Sequence, residues 1–310
     1  MSRRGQVLFA TMCVVWGVPY LLIKVAVEDL QPVTLVALRT GAAALLLVPV
    51  AAQRGALRPL LRRWRTVLVY SVVEVALPWL LLSDAERHLS SSLSGLLVAA
   101  VPLVGVVLTS LVGGEAPFGA RRVLGLLVGL AGVGVLLGVD VGGGDLGAVM
   151  EMGVVTVCYA TGPLLIARRL ADLPSIGVVA ASLVVSAAVC TPPAVTRLPG
   201  AFPPGRVVAS VAVLAVLCTA VAFVVFFALI AEVGPVRATV ITYVNPAVAV
   251  LLGVALLGEP FTAGTAGGFA LILAGCVLAT RRGPRPRATD AAGTAAGAAT
   301  AAHAETVPSG

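Results

Sequence analysis

The fold is decided by a stretch that the chain carries twice, PLVGVVLTSLVGGEAPF at residues 102–118 and PAVAVLLGVALLGEPF at residues 246–261. In each copy a glutamate, with a glycine before it, follows the proline by thirteen residues, and a Pro-Phe pair comes shortly after. Glycines recur seven and fourteen residues beyond each phenylalanine, at positions 125, 132, 268 and 275. Such a string, repeated 144 residues apart in apolar sequence, indicates a duplicated membrane protein whose working site lies between the two halves.

The composition makes lipid the solvent for most of the surface. Of the 310 residues, 59% are hydrophobic and 11% are charged, whereas a soluble domain carries roughly a quarter charged residues. Ten apolar segments meet or approach the roughly 20 residues that cross the hydrocarbon core. They are 6–27, 32–52, 65–83, 90–111, 122–139, 146–167, 175–195, 207–231, 238–257 and 262–280.

The ten segments divide into two sets of five at the Gly/Asp-rich residues 140–145. Residues 1–139 and 146–282 are therefore the predicted repeats, and 283–310 is predicted to be a disordered cytoplasmic tail because it lacks apolar periodicity. An odd number of spans per repeat inserts the second repeat upside down relative to the first. The predicted fold class is an all-α integral membrane protein with ten transmembrane helices in two inverted five-helix repeats.

The arginines set the orientation and argue against a nucleic-acid partner, despite the net charge of +7. They cluster between apolar segments rather than on one polar face. With both termini in the cytoplasm, sixteen arginines lie inside and three lie outside, namely Arg87, Arg197 and Arg206. By the positive-inside rule, this distribution predicts a multi-pass protein of the plasma (inner) membrane with both termini cytoplasmic.

Four ionisable residues lie inside the predicted spans, where each costs roughly 2.5–3.5 kcal/mol. Lys24, near the outer end of its span, either snorkels to the interface or contacts solute. Arg39 and Glu151 either take part in structural ion pairs or line a polar cavity. Glu74, at the middle of its span, is interpreted as functional, because a side chain there has no route to water; it binds solute or carries a coupled proton.

Aromatic rings occur at similar depths. Trp16, Tyr20 and Lys24 are spaced at i, i+4 and i+8, so they share one face of a helix. Further rings are Trp79, Tyr159 and Tyr243. Rings combined with both signs of charge predict a cavity for a small amphipathic or zwitterionic solute. The alternative is that the rings pack between helices or lie in the interfacial belts.

Prolines interrupt equivalent spans of the two repeats. Pro102 and Pro246 each remove a backbone hydrogen bond, and we interpret both as structural hinges. Asn245, the only asparagine in the chain, is expected to contact solute or a neighbouring helix. Glu115 and Glu259 lie where one span ends, and we expect each to cap the helix that follows or to bond the turn.

The chain carries no pattern of a catalytic or metal site. Its two histidines, His88 and His303, lie in a predicted loop and the predicted tail, and its five cysteines lie inside predicted spans at no ligand spacing. Paired aspartates and phosphate-binding glycine loops are also missing from the sequence. We therefore expect no enzyme activity, no metal and no cofactor.

In this order, the features resemble the EamA family of the drug/metabolite transporter superfamily over about residues 6–280. The matching stretches are Trp16-Gly17 through Lys24, Pro32 to Arg39, Ala76-Leu77-Pro78, His88-Leu89-Ser90 and the two Pro-to-Gly-Glu strings. The resemblance implies a secondary transporter that exports amino acids or other metabolites through a central cavity between the repeats. Two departures are Tyr159-Ala160, where Trp-Ala is common, and Glu74, where a neutral polar residue is expected.

Three functions remain open at this stage. The first is an exporter of a small amphipathic metabolite by alternating access; the second is an exporter of drugs or cationic toxicants, which Glu74 and Glu151 favour. The third, a non-transporting scaffold or receptor, would need no ionisable groups in mid-membrane. The expected partners are a small-molecule substrate and the lipid bilayer, and a coupled proton is one candidate for the coupling ion. The coupling ion, the direction of flux and the oligomeric state are left open.

Overall fold

The computed structural model of the protein describes residues 1–113, 119–140, 146–238 and 240–280, and every regular element in these ranges is a helix. Three features named above lie outside the described residues. They are Glu115, most of the inter-repeat segment 140–145 and the tail 283–310.

Among the described residues, nine helical segments are long and apolar enough to cross a membrane, and a tenth is shorter. We number them as spans in chain order. Spans 1 to 5 are Arg3–Ala26, Pro32–Gln53, Arg58–His88, Ser91–Leu111 and Ala120–Gly138. Spans 6 to 8 are Leu146–Leu170, Ser175–Val195 and Gly205–Val233, and span 10 is Ala263–Thr280. Span 9, Ile241–Leu257, has 17 residues and follows a short helix, Pro235–Ala238. Each of these helices lies at one of the ten predicted positions.

Several spans are interrupted. Span 1 consists of Arg3–Val15 and Val18–Ala26, and span 4 consists of Ser91–Val98 and a helix that begins at Val101. Span 3 contains the 3₁₀ helix Arg58–Arg63, the α-helices Trp64–Ser71 and Leu77–His88, and the π-helical turn Val72–Ala76 between them. Span 8 contains Gly205–Ala215, the π-helical turn Val216–Val221 and Ala222–Val233, and span 6 ends in a π-helical turn, Ile166–Leu170.

Two of the π-helical turns occupy equivalent places in the duplication. Val72–Ala76 of span 3 and Val216–Val221 of span 8 begin 144 residues apart, which is the offset between Pro102 and Pro246. A π-helical turn widens the helix locally and is frequent at functional sites. The backbone irregularity is therefore part of what the two halves share.

Spans 5 and 10 pack antiparallel through the repeated glycines. A methyl group on Gly125 would lie 2.5 Å from the backbone nitrogen of Ala279, and one on Gly132 would lie 2.7 Å from the carbonyl oxygen of Gly268. Gly275 has its own close backbone neighbour in Gly129. Because only glycine allows helices to approach this closely, the recurring glycines form a stripe of small residues along which the two spans meet.

Spans 4 and 9, which carry the repeated string, also run antiparallel. Gly95 near the start of span 4 lies against Ala249, where an added methyl group would come within 2.7 Å of the alanine Cβ. The beginning of span 4, at Ser91, meets Glu259 just beyond the end of span 9. Spans 2 and 7 also run antiparallel. Thr34, at the start of span 2, donates to the carbonyl of Arg197, just beyond the end of span 7, at 3.4 Å.

Four contacts join loops that the sequence assigns to a common side of the membrane. On the predicted cytoplasmic side, Ser2 donates to Glu232, and Arg63 pairs with Asp172 at 3.0 Å. On the predicted outer side, Arg206 pairs with Glu28 at 2.9 Å, and the Glu259 carboxylate reaches the start of span 4. The alternation of loops predicted from the arginines is therefore consistent with the contacts. Large apolar side chains such as Leu45, 78% exposed, cover the outward faces of the spans, as lipid requires.

Candidate solute-binding site

Arg39 of span 2 is the central charged residue of the site and is 6% exposed. Its Nε donates to Thr219 Oγ1 of span 8 at 3.0 Å, and its guanidinium carbon lies 3.7 Å from the centre of the Trp79 ring on span 3. A desolvated arginine over a tryptophan face gains about 2 kcal/mol from the cation–π interaction. Within the described residues, nothing accepts a hydrogen bond from its two terminal nitrogens, so the fork of the guanidinium retains its bonding capacity.

Thr219, which the sequence did not single out, holds Arg39 in place. It lies in the π-helical turn of span 8, and its hydroxyl donates to the carbonyl of Leu214, five residues earlier, at 2.8 Å. With its proton committed to that carbonyl, the hydroxyl oxygen can only accept from Arg39. The widened turn of one half thus orients a charge of the other half.

Lys24 of span 1 reaches the end of a neighbouring span. Its ammonium group donates to the backbone carbonyls of Glu86 at 2.6 Å and Leu89 at 2.8 Å. Both carbonyls belong to the end of the helix Leu77–His88, where the last carbonyls have no partner within the helix. Lys24 therefore joins span 1 to the C-terminal end of span 3 and complements the negative end of its dipole.

Glu86 is a second candidate site residue that the sequence analysis missed, after Thr219. Its side chain is 0% exposed, and neither carboxylate oxygen has a hydrogen-bond partner among the described residues. The positive charges of Lys24 and Arg39 act on it, but no ion pair within 4 Å forms with either among those residues. The predicted span 3 ended at residue 83, so Glu86 was assigned to a loop. Its position seven residues after Trp79, two turns along the same helix face, was the available signal.

Three of the five rings named from the sequence border these charges. Tyr20 and Trp79 are each 7% exposed, and Tyr159 of span 6 is packed against both of the larger hydrophobic cores. Tyr20 lies beside Gly95, where an added methyl group would come within 3.6 Å of its ring. Tyr20 and Trp79 are thus buried beside the charges, and Tyr159 is partly buried.

Glu74 lies in the π-helical turn of span 3, and its charge acts on Tyr159 of this cluster. Its carboxylate rests directly on Gly162 of span 6, where any side chain would collide with it. One oxygen, Oε2, is fully buried and has no hydrogen-bond partner among the described residues. The charge of Glu74 acts on the neighbouring side chains of Tyr70 and Cys158. The Glu74 carboxylate is therefore accommodated by the missing side chain of Gly162, and it is not held by an ion pair among the described residues.

Glu151 lies beside Asp84 and His88 of span 3 rather than beside Arg39. Its Oε2 is buried without a hydrogen-bond partner among the described residues. The charge of His88 acts on Glu151, whereas the side chain of Arg39 contacts Thr219 and Trp79. The structure therefore places Glu151 and Arg39 in different surroundings.

The helical face predicted to join Trp16 to Tyr20 and Lys24 is interrupted, because the helix ends at Val15 and resumes at Val18. Trp16 instead packs on Phe226 and Phe223 of span 8, with ring centroids 4.7 and 5.9 Å away. Tyr243 is half-buried at the border of the larger core. These two rings pack between helices, as the alternative interpretation expected.

Asn245 contacts a neighbouring helix at that interruption. Gly17 donates to the carbonyl of Val14 at 2.9 Å, three residues earlier, which leaves the carbonyl of Cys13 without its helical partner. In the amide orientation that satisfies both of its ends, Asn245 donates to this carbonyl at 3.1 Å and to that of Ile241 at 3.0 Å. Asn245 thus closes the gap in span 1 from the other half of the chain.

Glu259 was expected to cap the helix that follows it in the chain, but the helix that it caps comes earlier in the chain. Its two oxygens accept from the backbone nitrogens of Ser91 at 2.7 Å and Ser92 at 2.9 Å, and the Ser92 hydroxyl donates to it as well. It therefore caps the N-terminus of span 4, in the other half, where unpaired N–H groups and the helix dipole favour a carboxylate.

Comparison with known proteins shows the family to which the chain belongs. The sequence model of the EamA-like transporter family matches residues 3–138 and again residues 148–281. The uncharacterized inner membrane transporter YedA of Escherichia coli (strain K12) is 30% identical over 260 residues, 81% of this chain and 82% of its own. The uncharacterized transporter YvbV of Bacillus subtilis (strain 168) is 26% identical over 298 residues, 90% of this chain and 93% of its own.

A crystal structure with 23% sequence identity covers 89% of this chain and 96% of its own at a TM-score of 0.64, which shows a common fold. The family match extends over nearly all the described helices, and it falls on both halves. These similarities indicate a transporter rather than an enzyme, in agreement with the apolar spans. The chain belongs to the EamA-like transporter family, within the drug/metabolite transporter superfamily.

Proposed function

We propose that the protein is a secondary transporter of the plasma (inner) membrane that exports a small amphipathic solute, such as an amino acid or a related compound. The observation that carries the proposal is the pair of buried side chains Arg39 and Glu86: among the described residues Arg39 bonds Thr219 through Nε alone, and both carboxylate oxygens of Glu86 are buried without a hydrogen-bond partner. A solute with an anionic and a cationic group would satisfy both. The names of YedA and YvbV support transport, and that of YedA supports the inner membrane.

The energetics favour a binding role over a purely structural one. An unpaired buried charge costs several kcal/mol, and a scaffold could avoid this cost with an apolar side chain. Binding of a solute would supply the missing partners when the site is loaded and withdraw them after release. This is the behaviour expected of a site that must both bind and release its cargo.

Alternating access between two inverted repeats is the mechanism that we propose. Support comes from the antiparallel packing of equivalent spans, 2 with 7, 4 with 9 and 5 with 10. It also comes from the composition of the site, since Arg39 belongs to the first repeat and its partner Thr219 to the second. Rocking of one repeat against the other would open such a site to each side in turn.

The test is solute efflux from proteoliposomes loaded with a panel of amino acids and related metabolites. Arg39→Gln and Glu86→Gln should each weaken transport of the accepted solute by about 10- to 100-fold, because each removes one charge-assisted contact. Arg87→Gln, at an exposed residue paired with Asp84, is the matched control and should transport normally. Wild-type rates in both site variants would remove the basis of the proposal.

The orientation with both termini cytoplasmic is part of the proposal. A cysteine introduced at Gly283 should resist a membrane-impermeant thiol reagent in intact cells and react after permeabilisation. A cysteine at Gly200, in the predicted outer loop between spans 7 and 8, should react in intact cells. The opposite pattern would invert the topology without affecting the fold.

A second candidate function, export of a cationic toxicant, is favoured by one observation: the Glu74 carboxylate with a buried, unpartnered oxygen. If Glu74 binds the cation or carries a coupled proton, Glu74→Gln should abolish transport or its pH dependence while the protein still accumulates. Gly162→Ala, which would fill the space that the carboxylate occupies, should have a similar effect. Unchanged transport across the pH range in Glu74→Gln would assign this residue a structural role.

A further inference from the structure

Two arginine-rich segments meet at one end of the molecule, in residues 54–65 and 166–172. Arg63 joins them, because it pairs with Asp172 at 3.0 Å and donates to the backbone carbonyl of Arg169. Beneath this pair, Leu60 and Leu170 belong to one small hydrophobic core and are 6% and 1% exposed. The two segments are therefore held together as one surface.

The surface carries a dense positive charge that the protein does not neutralise. Asp172 is the only acid in the two segments, and Arg63 already occupies it. The remaining arginines are exposed, and none forms an ion pair within the described part of the chain. We name them the basic face: Arg54, Arg58, Arg62, Arg65, Arg168 and Arg169.

Large apolar side chains are exposed directly beside the basic face. Leu61 is 73% exposed and Trp64 is 57% exposed, and the exposed apolar surface continues along span 3 through Val69. The guanidinium of Arg65 lies 5.4 Å from the centre of the Trp64 ring. A tryptophan at the end of an apolar helix surface is typical of the boundary between hydrocarbon and headgroups. The basic face therefore lies at headgroup level.

We propose that the basic face binds the headgroups of anionic phospholipids, with Trp64 and Leu61 inserted at the top of the acyl chains. Arginine forks match phosphate oxygens in a bidentate way, and each basic residue near an anionic membrane surface contributes about 1 kcal/mol. A nucleic acid or an acidic protein would leave the adjacent apolar side chains uncovered, whereas a phospholipid satisfies both parts of the surface. This assignment is independent of what the protein transports.

The opposite end of the molecule offers the matched control. There two of the three arginines have acidic partners, since Arg206 pairs with Glu28 and Arg87 with Asp84. The binding assay uses the full chain, purified in detergent, with phosphatidylglycerol or phosphatidylcholine added and the retained lipid counted by native mass spectrometry. Inorganic phosphate and glycerol phosphate serve as competitors that distinguish a headgroup site within a membrane from a site for free phosphate.

We expect the wild type to retain phosphatidylglycerol over phosphatidylcholine, in a salt-sensitive way. The combined Arg58→Gln, Arg62→Gln and Arg65→Gln substitution should weaken retention by about 10- to 100-fold, and Arg87→Gln with Arg206→Gln should not. Arg63 is left intact because it holds the segments together. Equal retention of the two lipids by the wild type, an unchanged triple variant, or displacement by glycerol phosphate alone would each overturn the proposal. If the triple variant fails to fold, salt-independent retention by the wild type would overturn it instead.

Discussion

The two copies of the repeated string share the same proline and Gly-Glu spacing, but their helices differ in structure. In the first copy the helix stops at Val98 and resumes at Val101, directly before Pro102. In the second copy the helix Ile241–Leu257 continues through Pro246. The interruption associated with the first proline therefore has no counterpart at the second, where the preceding helix has already ended at residue 238.

The difference shows that a proline only permits a break and that the neighbouring helices decide whether one occurs. Around the second copy, bonds to the other half hold the helix in a regular form: Asn245 satisfies the carbonyl of Cys13, and Glu259 caps span 4. Gly258, with φ +67°, adopts the left-handed conformation that turns the chain back so that Glu259 can reach that helix. The described part of the second copy is thus bonded to the other half at two places, while Glu115, the counterpart of Glu259 in the first copy, lies outside the described residues.

The largest expected effect concerns the glycines of the two copies. A side chain on Gly253 would collide with Glu259, Ser92 and Ser91, whereas one on Gly105 would meet nothing within 4 Å. Gly253→Val should therefore destabilise the protein by about 3 kcal/mol or more, and Gly105→Val should have little effect. Thermal unfolding followed by size-exclusion chromatography in detergent measures both. Similar losses for the two variants would show that the copies are equally anchored.

A smaller loss is expected when the cap between the halves is removed. Glu259→Ala leaves the backbone nitrogens of Ser91 and Ser92 without an acceptor and should cost about 2 kcal/mol. Glu28→Gln, which breaks only the exposed pair with Arg206, is the control and should cost less than about 1 kcal/mol. Comparable melting temperatures for both variants would mean that the cap does not anchor the second copy.

Loss of the asparagine contact should have a more modest effect. Asn245→Ala leaves the freed carbonyl of Cys13 unsatisfied, at a cost of about 1 kcal/mol. Exchange of backbone amides with deuterium should increase near Gly17, where span 1 is interrupted, and should be unchanged in span 7. If exchange rises equally in both places, Asn245 stabilises the whole protein rather than this interruption.

The smallest expected effect separates the two prolines as hinges. Pro102→Ala should slow turnover, by less than about tenfold, because it favours a continuous helix where the native chain bends, and Pro246→Ala should change the rate less. If both still act as hinges, the two variants should bias a central reporter cysteine toward opposite faces of the membrane. Equal rates, or a shift toward the same face, would contradict the assignment of two hinges.

The sequence predicted the helices well because lipid imposes a length on every span. All ten segments have helical counterparts, and the recurring glycines, Gly125 with Gly132 and Gly268 with Gly275, mark a contact that only small residues allow. The irregular turns could not be predicted in this way. Hydropathy does not distinguish an α-helical from a π-helical turn, so the places of Glu74 and Thr219 in the backbone came only from the structure.

The candidate site was only partly predictable. Arg39, Trp79, Tyr20 and Tyr159 were identified because charges and rings are conspicuous inside apolar segments. Glu86 was missed because it lies in a charged run near the end of a span, where composition alone indicates a loop. The partner of Glu259 could not be deduced, since Ser91 lies 168 residues away and carries no signal of its own.

The glycine contact between spans 5 and 10 has a mechanical consequence. The side chain of Leu136 on span 5 lies against Gly268 of span 10, only 2.7 Å from where a methyl group on that glycine would be. Sliding these spans along each other would drive this leucine into backbone, whereas pivoting about the line of backbone contact keeps the glycines together. If the halves rock as proposed, the contact between spans 5 and 10 lies on the rotation axis of the movement. A cross-link between them should then leave turnover intact, while one between Arg39 and Thr219 should stop it.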